Sequence, residues 1–268
     1  MKQLDRENDM LFPIVMDFPK EVPVERETRK IEDALFSGIE RTMPMEINFD
    51  GMLAPAHNQV YNGQGLGTCY AEAATGWIEY WVWRKCGKMI QFSREEIWDV
   101  AVDAKTMYGY DYRKNNTLKT IFSSGGSPNN VFTYGFKYNL NLGWHYFTDK
   151  QVSKNFQLFR ELAEGCMLEK TFRTRSFTDL PFNVDVNSAR ENAMKILTDY
   201  GPFVYVSYTD NRKTSTHAWL AVGATRNGLL LRNSYGQDEL VMDRWENVVK
   251  YATNGTWNCV PMIDTKKF

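Results

Sequence analysis

The segment from Thr68 to Gly87 constrains this chain more than any other. Tyr70, Ala73, Ala74, Trp77, Ile78, Trp81 and Val82 recur at three- and four-residue spacing, which predicts one long helix with a broad apolar face. Thr68 can cap its first turn, and Gly87 is a natural stop. A helix with so much aromatic surface needs another layer to bury it. Trp77, Tyr80, Trp81 and Trp83 are therefore expected in core and interlobe contacts rather than in a binding platform.

The other elements divide by position. Ser93-Arg94-Glu95-Glu96 resembles a capping box that opens a further helix, and residues 123–128 are a loop by composition. Residues 187–200 are helical and closed by Gly201-Pro202. After them come β-rich runs at 203–208, 218–223 and 228–233, separated by turn-forming residues that include Arg226-Asn227-Gly228. A mostly helical half followed by a mostly extended half predicts an α+β fold in two lobes, 45–150 and 151–268. Residues 1–44 precede them, charged and punctuated by Pro13, Pro19 and Pro23, with a short helical stretch at 29–41. That segment suits a pro-segment, an arm over the body or a partner-binding tail.

Composition excludes several classes of function. Of 268 residues, 43% are hydrophobic, so the chain can build a sizeable core. A net charge of −1 gives no electrostatic footprint for nucleic acid and no basic attraction to a membrane surface. No apolar run is long enough to span a bilayer, and the N-terminal segment lacks the apolar centre of a secretory signal. The four cysteines are Cys69, Cys86, Cys166 and Cys259. If one is a free nucleophile, an odd number remain, which fits a reducing compartment such as the cytoplasm better than a disulfide framework. The three histidines, His57, His145 and His217, lack zinc-site spacing, so neither a metal nor another cofactor is expected.

Cys69 opens the long helix behind Gly65-Leu66-Gly67-Thr68. The positive end of a helix stabilises a thiolate, and its unused N–H groups can receive an oxyanion. Taken alone, a cysteine in such a place is more often a small buried residue than a nucleophile. His217 begins an apolar strand and Asn233 ends the next one. A hairpin would bring them side by side, with the Asn233 amide fixing the imidazole orientation. His57 and His145 read as surface or structural residues, and Lys150–Lys170 as a solvated helix face.

Together these segments resemble the papain-like cysteine peptidases. Gln64-Gly65-Leu66-Gly67-Thr68-Cys69-Tyr70-Ala71 is similar to the family's nucleophile segment, preceded by the similar stretch Ala54-Pro55-Ala56-His57-Asn58-Gln59. Gly125-Gly126 with Pro128 and Tyr134 resembles the glycine pair that lines the cleft. Tyr200-Gly201-Pro202 with its strand, His217-Ala218, and Arg232-Asn233-Ser234-Tyr235-Gly236 follow in the family's order. His217 and Asn233 lie 148 and 164 residues after Cys69, against roughly 130–150 in the family.

The resemblance implies a helical left lobe, an antiparallel barrel-like right lobe and an active site in the cleft between them. It implies peptide hydrolysis by Cys69, His217 and Asn233 on a protein or peptide substrate, through a thiolate–imidazolium pair and an acyl-enzyme. Gly67, Thr68, Gly125, Gly126 and Thr216 are the implied substrate-binding residues. Three departures stand out. Leu66 replaces a family cysteine, which removes the neighbouring disulfide. Tyr235 replaces the tryptophan that shields the His–Asn bond. Gly63 stands at the family's oxyanion-glutamine position, six residues before Cys69; the nearest glutamine is Gln64, one residue closer and the one favoured, with Gln59 the alternative if residues 60–63 are an insertion. Alternatives to an active peptidase are a papain-fold protein with a binding or structural role, and an isopeptidase or acyl transferase with the same triad.

Overall fold

The computed structural model describes residues 2–3, 46–61, 64–86, 97–98, 125–128, 173–176, 180–235, 240–253 and 259–262, with single positions 89, 91, 101 and 131. The expectations for residues 29–41, 93–96 and 150–170, and for His145, lie outside the described residues. The long helix is α1, Cys69–Cys86, which starts and ends as its apolar period requires. Among the described residues, two further helices with full bounds are α2, Val186–Tyr200, and α3, Trp245–Tyr251. Asp185 caps α2 by accepting a hydrogen bond from the Ser188 N–H at 3.0 Å. Gly201 ends it with φ +81°, a conformation suited to glycine.

The strands are β1 (Lys2–Gln3), β2 (Ile47–Asn48), β3 (Val60–Tyr61), β4 (Gln64–Gly65), β5 (Arg173–Ser176), β6 (Phe203–Tyr208), β7 (Thr216–Ala224), β8 (Gly228–Arg232), β9 (Val241–Arg244) and β10 (Cys259–Met262). Eight of them form one sheet in the order β1-β9-β8-β7-β6-β10-β5, with β2 on β7. Its pairings are antiparallel, except that β1 runs parallel to β9. Helix on one side and a curled antiparallel sheet on the other make the α+β architecture that the sequence predicts. The β1 pairing also ties the start of the N-terminal segment to the edge of this sheet.

β7 is buried along its whole length because both of its faces are covered. Trp219 and Ala221 belong to the core that includes Ala193, Ile196 and Leu197 of α2 and Trp245 and Val248 of α3. Phe182 stacks on Phe203 at 5.7 Å and meets Tyr205 edge-on at 5.9 Å in the same core. Each such ring contributes about 1.5–3 kcal/mol by leaving water. Leu220 points the other way, onto α1, where a Cβ on Gly76 would stand 3.0 Å from it. That packing brings the start of α1 against the start of β7.

Candidate active site

Cys69 sits at the first position of α1, behind the Gly67-Thr68 turn. The Thr68 carbonyl accepts the Ala71 and Glu72 N–H groups at 2.8 and 3.0 Å, which starts the helix. The Thr68 hydroxyl points inward and donates to Glu72 Oε1 at 3.2 Å. The thiol is fully buried, and burial dominates its ionisation, pushing its pKa up to about 12. The Ala218 and Tyr70 amides pull the other way, Glu72 adds to the rise, and the residue's own amide opposes it. This corrects the expectation of a thiol shifted down by the helix terminus. In this form desolvation outweighs the amides, and the thiol is neutral at physiological pH.

The Ala218 amide acting on Cys69 belongs to the residue after His217, so the start of α1 meets β7 directly. His217 is the second residue of β7 and pairs with Ser207 of β6. Its Nε2–H donates to Asn233 Oδ1 at 3.0 Å, and the Ser234 N–H donates to the same oxygen at 2.9 Å. The hairpin thus brings His217 and Asn233 together. Since an amide oxygen can only accept, the proton lies on Nε2, and Nδ1 is the basic nitrogen of the neutral ring.

Two aromatic rings enclose this bond. Tyr235 stacks on the imidazole at 5.4 Å and 21°, and Trp219 meets it edge-on at 4.6 Å. Trp219 is itself fixed by donation from Nε1 to Ser207 Oγ at 3.2 Å. Tyr235 therefore covers the His217 ring despite replacing the expected tryptophan. With His217 and Asn233 1% and 3% exposed, the whole constellation lies beneath the surface.

The two glutamines occupy different places. Gln64 is in β4, paired with Tyr61 of β3. Gln59 is fully buried directly before the hairpin of β3 and β4. Its Nε2 donates to Leu66 O at 2.7 Å and its Oε1 accepts from Ser234 Oγ. Its backbone N–H donates to Ser234 O at 2.7 Å, and its carbonyl accepts the Leu66 N–H at 3.0 Å. The antiparallel pairing of β3 and β4 leaves Gln59 beside Leu66 and next to Ser234, the residue after Asn233. Asn62-Gly63, a strong hairpin signal between two short strands, could have revealed this from the sequence.

Gly125 has φ +62°, and a Cβ on Gly126 would collide with the Tyr70 ring, so this glycine pair packs beside the residue after Cys69. Gly125, Gly126, Gly67, Thr68 and Thr216 are all buried. Thr216 faces Tyr208 across the sheet. His57, read from the sequence as surface or structural, lies within the fold, with its Nε2 3.0 Å from Glu79 Oε2 on α1. No local signal marked it, because its partner is 22 residues away. Among the described residues no cluster of His, Cys, Asp or Glu could hold a metal ion, and no helix is long and apolar enough to cross a membrane.

No protein-family model matches the chain, and no curated protein matches it in sequence. Solved structures do match. The digestive procathepsin L 3 of Tenebrio molitor larval midgut superposes with a TM-score of 0.51 at 14% identity, over 84% of this chain and 71% of that one. The proform of the ragweed pollen cysteine protease Amb a 11 gives 0.47 at 13% identity, over 87% and 70%. The Carica candamarcensis cysteine protease CMS1MS2 in complex with E-64 gives 0.47 at 16%, over 82% and 99%. The fold is that of the papain-like cysteine proteases.

Proposed function

We propose that this chain is a cysteine peptidase acting on protein or peptide substrates, with Cys69 as nucleophile, His217 as general base and acid, and Asn233 as the residue that orients the imidazole. The observation that carries the reading is the His217 Nε2–Asn233 Oδ1 bond at 3.0 Å, one residue from the amide that reaches Cys69. With Nε2 committed to Asn233, Nδ1 takes the thiol proton. The thiolate attacks the substrate carbonyl, and its carbon–sulfur bond forms as the carbonyl electrons move to oxygen. The Cys69 backbone N–H and a Gln59 side-chain N–H receive that oxyanion. As the tetrahedral centre collapses, His217 gives its proton to the leaving amine. It then takes a proton from the water that cleaves the thioester and returns Cys69 to the thiol.

Gln59 is preferred here to Gln64 because its amide is buried and held at Ser234. One Nε2–H bonds Leu66 O, and the second serves the oxyanion. Gly67, Thr68, Gly125, Gly126 and Thr216 line the substrate path, with the glycines admitting an extended peptide backbone. Burial of Cys69 marks this as a covered form. Opening it removes the largest effect that keeps the thiol neutral and leaves the Ala218 and Tyr70 amides to favour the thiolate. We further propose that residues 1–44 restrain activity as a pro-segment or arm, and that the protein works in a reducing compartment.

The same burial favours a second reading, a papain-fold protein that binds without cleaving. Incubation with a broad peptide mixture separates the two. Hydrolysis by wild type that disappears in Cys69→Ala supports the peptidase, and no hydrolysis by either, with or without residues 1–40, supports the binding protein.

A further inference from the structure

A hollow of about 20 Å³, room for roughly one water, lies between the start of α1 and the segment around His57, with Asn233 in its wall. His57, Glu72, Glu79, Arg232, Asn233 and Ser234 are among its lining residues. Four of these carry ionisable side chains, an unusual density for largely buried residues. His57 and Glu79 meet at 3.0 Å with side-chain exposures of 9% and 2%. Glu72, one turn beyond Cys69, is 3% exposed.

Arg232 is engaged on its other side. Its Nε and Nη2 reach Asp50 Oδ1 at 2.8 and 2.7 Å, and its Nη1 donates to Ala54 O. Asp50 answers Arg232, and His57 answers Glu79 of α1. Burial opposes a charge on His57 most strongly. The charge and hydrogen bond of Glu79, with the charge of Glu72, outweigh it against a smaller opposition from Arg232, and its pKa is raised.

His57 also has mechanical leverage. It is followed by Asn58, which bridges to Tyr235, and by Gln59, which bonds Ser234 twice. The His57–Glu79 contact therefore clamps to α1 the same short segment that carries the oxyanion glutamine.

We propose that His57 and Glu79 form a second ionisable pair beside the candidate catalytic centre and that this pair positions Gln59. Deprotonation of His57 then weakens its contact with Glu79 and loosens the segment. Because the histidine's pKa is raised on folding, its stabilisation is full below about pH 6.5 and is lost as pH rises through the folded value. The activity arm of this proposal rests on the peptidase reading, while the stability arm does not.

The test compares the full wild-type chain with His57→Gln and with the double variant His57→Gln/Glu79→Gln, which keeps a neutral amide pair. Wild type should lose more Tm than the double variant between about pH 6 and pH 8.5. Its alkaline limb of kcat/KM should be steeper than one ionisation allows, and that of the double variant should fit one. His57→Gln, which leaves Glu79 charged opposite an amide, should lower kcat by about 10- to 100-fold with little change in KM. Equal pH dependence of Tm in wild type and the double variant overturns the proposal, as does wild-type kcat in His57→Gln. If His57→Gln does not fold, the double variant still decides. If no form hydrolyses peptide, the peptidase reading falls and the Tm comparison alone decides the pair.

Discussion

Gln59→Glu is the most informative single perturbation of the proposed oxyanion site. The substitution keeps the shape of the side chain and keeps an oxygen to accept from Ser234 Oγ. It removes the N–H that bonds Leu66 O at 2.7 Å and the N–H assigned to the oxyanion. Losing one neutral hydrogen bond costs about 0.5–1.5 kcal/mol of stability, and a carboxylate facing the Leu66 carbonyl adds repulsion. The catalytic loss is larger, because one oxyanion donor contributes about 2.7–4 kcal/mol, or roughly 10²–10³ in kcat. Steady-state hydrolysis of a fluorogenic peptide, with Tm measured in parallel, separates the two effects. The expected result is a fall in kcat in that range with KM nearly unchanged, while Gln64→Ala stays within about threefold of wild type. A large loss in Gln64→Ala together with a mild effect in folded Gln59→Glu would refute the assignment.

Three further outcomes follow from the geometry. Tyr235→Ala removes the buried ring stacked on His217 and should cost about 3–5 kcal/mol of stability and lower kcat; thermal melts and kinetics check this. Gly201→Ala places a Cβ at φ +81° and 2.9 Å from the Tyr80 ring, and should destabilise by about 1–3 kcal/mol in urea titration. Deleting residues 1–40 should raise peptide hydrolysis if the segment acts as a pro-segment. Unchanged or lower activity in a folded product would instead make the segment an integral part of the sheet, as the β1–β9 pairing permits.

Where neighbouring residues determine the outcome, the sequence was a good guide. The apolar period of α1 and the run of β6 appear at their expected places, because each element's period is visible in its own residues. β7 starts two residues earlier than its apolar run, since Thr216 and His217 continue the ladder opposite Tyr208 and Ser207. β8 stops at Arg232, one residue short, because Asn233 leaves the strand to hold His217. What stayed hidden depends on distant packing. The helix terminus suggested an ionised Cys69, but the covering of the thiol decides its charge. Glu79 is an ordinary helix residue until folding sets His57 against it. Gln59 became a site candidate through the β3–β4 hairpin, whose Asn-Gly turn was readable, and through Ser234, whose role was not.

The central claim is that Cys69 is a nucleophile and not a buried structural thiol. Intact-mass measurement after incubation with an epoxide inhibitor of papain-like enzymes tests it most directly, using folded wild type, Cys69→Ala and the chain lacking residues 1–40. The account predicts one covalent adduct on Cys69 between about pH 5 and pH 8, faster in the shortened chain and absent in Cys69→Ala. Absence of an adduct on both folded wild type and the folded shortened chain across that range would contradict it.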